Sequence, residues 1–172
     1  MTHTNYTKKL LNIEDKNIYF YDDCLEIKEI KGVKAKIIHG YLTYTPECCP
    51  KCGCLNKGYD DIIKWNFKRN CKIKITKICG NNALLVLDKQ RFCCKHCNKT
   101  FTASTSVVNF HKQISNDTNL NIKLELMNKG TEKDIARGNN VSSNHVNRIL
   151  HNISEDKLVK NNGTLPSVLG RK

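Results

Sequence analysis

The chain has 172 residues, with 29 Lys and Arg against 16 Asp and Glu, and a formal net charge of +13. That length fits one or two small domains and excludes a single large enzyme core. No window approaches 18 consecutive apolar residues, and Met1 to Lys16 lacks the apolar run of a secretory leader, so neither a membrane span nor a membrane partner is expected.

Such a chain is expected to stay in the cytoplasm. In that reducing compartment its ten cysteines point to metal ligands or free thiols ahead of disulfides. The charge is concentrated. Residues 1–47 carry 7 basic and 7 acidic side chains, residues 48–113 carry 13 and 3, and residues 114–172 carry 9 and 6. Lys outnumbers Arg 24 to 5, as A/T-rich codons would produce. Codon bias would spread Lys evenly, however, so a +10 segment that also holds nine of the ten cysteines indicates a polyanionic partner.

In chain order, residues 1–47 form a first segment. Leu25–Ile30 and Lys34–Thr45 read as strands separated by Lys31-Gly32, which suits a hairpin. In the second strand Ile37, Tyr41 and Thr43 share one face, with Ile38, Leu42 and Tyr44 on the other, and Pro46 closes it. Residues 48–106 read as a small β domain. There Cys71, Ile73 and Ile75 alternate with Lys72, Lys74 and Thr76, giving one apolar and one cationic face. Asn81-Asn82 can supply a turn and Ala83–Leu87 a returning strand.

Two cysteine pairs bound that domain, Cys49-Pro50-Lys51-Cys52-Gly53 and Cys94-Lys95-His96-Cys97-Asn98. Each Cys-x-x-Cys turn aims two thiolates at one point, and two such turns complete a tetrahedral site for one structural Zn²⁺. Iron fits the same geometry, but zinc is the favoured ion. Four thiolates leave no open coordination position, so the metal is expected to organise structure and not to catalyse. Gly53 and Asn98 stand where the turn needs a left-handed residue. Cys48 and Cys93 abut ligands and offer a shifted register with a less standard spacing; His96 is expected to point outward.

Residues 107–155 switch to helical periodicity. Leu120, Leu124 and Met127 lie at i, i+4 and i+7, with Asp117 as N-cap. Thr131-Glu132-Lys133-Asp134 resembles a capping box, with Ile135 and Ala136 buried behind it. Gly138-Asn139-Asn140 breaks that helix, and Ser142 caps another in which Val146, Ile149 and Leu150 form the apolar stripe. The opposite face carries Asn144, His145, Asn147, Arg148 and His151. Asn and Arg are the side chains that read adenine and guanine edges in the major groove. An ordinary helical bundle with a polar face is the bland alternative. The expected fold is α+β, a small β-rich zinc-ribbon domain followed by a three-helix helix-turn-helix domain.

Taken in order, these residues resemble the N-terminal half of the ISL-three family of bacterial insertion-sequence transposases. The resemblance runs from Leu10-Leu11-Asn12-Ile13-Glu14-Asp15 through Leu42-Thr43-Tyr44 and the first knuckle to Arg91-Phe92-x-Cys94-x-x-Cys97-x-Lys99-Thr100-Phe101. It ends with Asp134-Ile135-Ala136, Val141-Ser142 and Val146-x-Arg148-Ile149-Leu150. In that family these modules precede a two-metal catalytic domain, and Leu165-Pro166-Ser167-Val168-Leu169-Gly170 resembles its lead-in. Residues 156–172 are thus expected to be a tail at the start of a missing catalytic domain, and the chain is expected not to be an enzyme. The 16 acidic residues show no arrangement suited to paired Mg²⁺ ions.

The resemblance implies a nucleoid-associated protein that binds duplex DNA at the terminal inverted repeats of an insertion element. A second copy or a full-length transposase is the further partner it implies. On this reading Lys64, Lys68, Arg69, Lys72 and Lys74 contact phosphates, and Asn144, His145, Asn147 and Arg148 read bases. A small zinc-ribbon and helix-turn-helix transcriptional regulator is the alternative.

Overall fold

The computed structural model describes residues 3–160 apart from 31, 59 and 129, with side chains placed from Thr4 to Ser154. The Leu165–Gly170 lead-in lies outside the described residues. The elements run α1 (His3–Leu10), β1 (Ile18–Ile30), β2 (Val33–Leu42), β3 (Ile62–Ile78), β4 (Asn81–Cys94), β5 (Thr100–Thr102), α2 (Asn116–Met127), α3 (Glu132–Gly138) and α4 (Ser143–Lys160). The chain divides into two compact units, Met1–Thr118 and Asn119–Lys172.

This architecture corrects the expected zinc ribbon followed by a three-helix helix-turn-helix domain. Among the described residues the dominant element is a five-stranded sheet, accompanied by four short helices. Strand order is β1-β2-β4-β3, with β5 also pairing β4. The decisive contact is the parallel pairing of β2 with β4, from Ala35↔Asn82 to Leu42↔Lys89. It draws residues 18–42 into the same sheet as the cysteine-bounded strands, so the boundary expected at 47/48 falls inside one unit.

Two tight hairpins organise the sheet. Ile30 pairs Val33, and Gly32 between them has φ +75°. Ile78 pairs Asn81 across Cys79-Gly80, with φ of +49° and +75°. Two consecutive positive φ values make the right-twisted two-residue turn that hairpins prefer. The turn therefore sits two residues before the expected Asn81-Asn82, and the returning strand is the whole of Asn81–Cys94 in place of Ala83–Leu87.

β3 is an edge strand with three irregularities. Between Lys64 and Phe67, between Lys68 and Cys71, and between Ile75 and Ile78, three steps of β3 match two of β4. In the second of these, Asn70 adopts φ +55° and its N–H donates to Asp88 Oδ1 at 2.9 Å. Such bulges re-aim side chains and, with exposed lysines, discourage further edge pairing.

The first unit's core lies under the sheet. Ile18, Leu42, Leu85, Leu87 and Phe92 are fully buried and pack with Ile38 and Ile73. Each such side chain contributes about 1.5–3 kcal/mol on burial. Phe92 sits between Tyr44 and Phe101, with ring centroids 5.4 and 5.3 Å away. Ala103 and Val108 belong to the same core and hold down the loop after β5.

The second unit has its own small core of Ile122, Ile135, Ala136, Val146 and Ile149. The caps expected for α3 and α4 are present. Thr131 Oγ1 accepts from Asp134 N–H at 3.2 Å, and Ser142 Oγ accepts from His145 N–H at 3.3 Å. For α2 the expectation fails in two respects. Leu120, Leu124 and Met127 are exposed, while Ile122 is fully buried with Leu126 packed against the same core. The cap is Ser115, whose Oγ accepts from Thr118 N–H at 3.1 Å, and Asp117 lies inside the first turn. Leu150 of the α4 stripe is also exposed.

Candidate functional site

The two knuckles are built by different local devices. In the first, Cys49 N–H donates to Cys54 O and Gly53 N–H donates to Cys49 O, both at 2.8 Å. The Cys48↔Leu55 bridge closes the loop, and Gly53 takes φ +74°. The second is the turn joining β4 to β5. There Cys93 pairs Thr100, Cys94 N–H donates to Lys99 O at 3.1 Å, and Asn98 takes φ +53°. Both left-handed residues are the ones expected from the sequence.

Cys49, Cys52, Cys94 and Cys97 converge, with all four Sγ atoms within 4.8 Å of one another. Cys49 Sγ lies 3.9 Å from Cys97 Sγ, and Cys52 Sγ lies 3.8 Å from Cys94 Sγ. A tetrahedral thiolate site with metal–sulfur bonds of about 2.3 Å has S···S edges of about 3.8 Å. The donor set thus fits a metal ion in size and softness. Cys49 and Cys94 are buried within the first unit's core, whereas Cys52 is exposed. The cluster therefore ties an outer loop to the end of the central strand.

The hydrogen-bond environment favours thiolate at one corner. Burial raises the Cys49 thiol, yet the backbone N–H groups of Lys51 and Cys52, with bonds from Cys52 and Cys94, bring it down to about 7. Lys51 N–H lies 3.4 Å from its Sγ. At Cys52 a backbone N–H from Cys54 lowers the pKa, but local desolvation by the surrounding chain and bonds with Cys97, Cys49 and Cys94 push it up to about 12. One thiolate thus shares its neighbours' protons, which a divalent cation would displace. Cys48, Cys93 and His96 are outside the cluster.

The residues expected to read bases separate into two groups. Asn144 and Arg148 are exposed, one turn apart on α4. His145 Nε2 lies 2.8 Å from Asn119 Oδ1, and Asn147 Nδ2 donates to Glu132 Oε2 at 3.2 Å. Those two half-buried side chains hold the second unit together. The expected phosphate contacts also separate. Lys68, Arg69 and Lys72 line one cleft beside the bulge in β3, whereas Lys64 and Lys74 do not. Lys74 is half-buried, its backbone bonded to Gln113 and Ser115.

Sequence reasoning missed Lys89, which lies inside the central strand and joins the same cleft. It also missed Asn139. This buried side chain donates to Glu125 Oε2 and Ile135 O, both at 3.0 Å, and accepts from Asn121 Nδ2 at 2.8 Å. No family model matches the chain, and neither the curated proteins nor the solved structures contain a significant match. Among the described residues, no helix is long and apolar enough to cross a membrane.

Proposed function

We propose that this chain is a zinc-stabilised, sequence-specific DNA-binding protein. The observation that carries the reading is the outward face of α4, where Asn144 and Arg148 are exposed while Val146 and Ile149 are buried behind them. Two base-reading side chain types one helical turn apart suit adjacent base pairs in a major groove. One Zn²⁺ on Cys49, Cys52, Cys94 and Cys97 would supply structure, since all-thiolate ligation leaves no open position. The +10 segment between residues 48 and 113 supplies sequence-independent attraction to the DNA backbone. The resemblance to ISL-three transposases supports the terminal repeats of an insertion element as the target.

Selection of duplex DNA from a random library by the zinc-loaded chain tests this. A defined motif should emerge, and Arg148→Ala should relax preference at one base pair by roughly 5- to 150-fold. Equal weakening toward motif and random DNA would remove α4 from base recognition.

A further inference from the structure

The first unit carries a cleft of about 1400 Å³ between the first knuckle, the β3 bulge and the loop after β5. Its cationic lining is Lys51, Lys68, Arg69, Lys72, Lys89 and Lys112, against the single acidic residue Glu47. Among the described residues none of these six cations forms an ion pair with a carboxylate. Lys68 and Lys89 are directly paired across β3 and β4, a placement that costs stability when both are charged. Burial lowers the Lys89 pKa; Cys71 opposes the shift, and the Lys68 charge adds a smaller lowering. The fold therefore concentrates unneutralised charge in a concave site.

Aromatic surface accompanies the charge. Phe110 lines the cleft, is 77 % exposed, and meets the His111 ring edge-on at a centroid distance of 4.1 Å. His111 holds φ +59°, a conformation that costs energy outside glycine. The loop bearing both rings is fixed at its far end, where Lys74 N–H donates to Gln113 O at 2.7 Å and Ser115 N–H to Lys74 O at 2.8 Å.

We infer that this cleft binds a single strand of nucleic acid, with Lys68, Lys72 and Lys89 on its phosphates and Phe110 stacked on a base. Its volume exceeds the roughly 300–1,000 Å³ of small-molecule pockets, so the ligand is extended. A duplex offers its phosphates on a convex surface with its bases stacked inside. A single strand presents phosphates and free base faces together, and cationic grooves with exposed rings are how such strands are held. The site is independent of α4: the measurements below vary first-unit residues only, so failure of duplex recognition by Arg148 would leave them interpretable.

The test uses the full zinc-loaded chain and fluorescence anisotropy with a labelled 15-nucleotide mixed-sequence DNA strand. The same sequence as a duplex and inorganic polyphosphate serve as competitors. The single strand should bind more tightly than the duplex. The double variant Lys68→Ala, Lys72→Ala should weaken it at least about tenfold at low salt and reduce the log–log salt slope by about 1.4. Phe110→Ala should weaken the oligonucleotide by roughly 5- to 150-fold while leaving polyphosphate binding unchanged. Unaltered zinc content and a melting temperature no lower than that of the wild type show that each variant is folded. Equal competition by duplex, or oligonucleotide binding indifferent to Phe110→Ala, would overturn the inference and leave a general anion site.

Discussion

Lys68 and Lys89 occupy directly opposed positions on β3 and β4, although β4 is the central strand of the sheet. A half-buried lysine facing another lysine is retained against stability, since like charges directly opposed cost about 0.2–1 kcal/mol.

Lys89→Met should therefore raise the melting temperature of the first unit at pH 7, by up to about 4 °C. The pH dependence identifies the cause. The folded-state pKa of Lys89 is lowered from 10.5, mainly by burial. Between the lowered value and 10.5 the unfolded chain holds more protons, so wild-type stability rises with pH; below both values the full penalty applies. The melting-temperature gap between Lys89→Met and wild type should shrink as pH approaches 10.5. A constant gap would assign the effect to packing.

Ligand assignment predicts a division among the cysteines. Cys97→Ser removes one corner of a cluster whose S···S edges measure 3.8 and 3.9 Å. It should abolish stoichiometric zinc and unfold the first unit at a markedly lower temperature, as chelation should in the wild type. Cys48→Ser and Cys93→Ser, each adjacent to a ligand but outside the cluster, should both retain one zinc per chain. Loss of zinc from either would place the metal in the shifted register. Elemental analysis of the three variants, together with the visible absorbance that an iron–thiolate site would show, decides the ion and its ligands.

Features that were legible in the sequence are those fixed by chemistry within a few residues. Cysteine spacing, Gly53 and Asn98 after each pair, and the caps Thr131 and Ser142 all act within one turn of chain. Pairings between distant segments were not legible. Nothing in Val33–Leu42 specifies that it will lie parallel to Asn81–Cys94, because an alternating or apolar strand accepts any partner with a matching face. Leu120, Leu124 and Met127 fit helical spacing as well as Ile122 and Leu126 do; only the presence of Ile135 and Val146 on one side decides which set turns inward. The basic cleft escaped notice for the same reason, since it gathers Lys51, Lys68, Lys89 and Lys112 from four separate segments.

At Gly40 the β1 backbone approaches β2 too closely for a side chain. A Cβ there would lie 2.5 Å from Tyr19 O and 3.2 Å from Phe20 Cδ1. The first contact is with backbone, so β1 itself would have to move. Gly40→Ala should cost about 1–3 kcal/mol and lower the melting temperature by roughly 2–12 °C. Thermal denaturation followed by circular dichroism measures this, and a neutral result would show that β1 yields freely at its irregular stretch between Phe20 and Leu25.

Asn144 and Asn147 share a helix and a residue type, yet their surroundings assign them opposite effects. Asn147 is half-buried and donates to Glu132 Oε2, whereas Asn144 is exposed at the start of α4. Asn147→Ala removes a hydrogen bond to a charged group, worth about 1.5–3 kcal/mol, so it should destabilise the second unit. Any loss of DNA affinity should then be uniform across sequences. Asn144→Ala should leave the melting temperature within about 4 °C, since surface changes are usually within ±0.5 kcal/mol, and weaken only the preferred duplex. Paired measurements of thermal stability and of affinity for preferred and random duplexes separate these outcomes. A specificity loss at Asn147 with unchanged stability would mean that its bond to Glu132 gives way on DNA, and that the reading face of α4 is wider than Asn144 and Arg148.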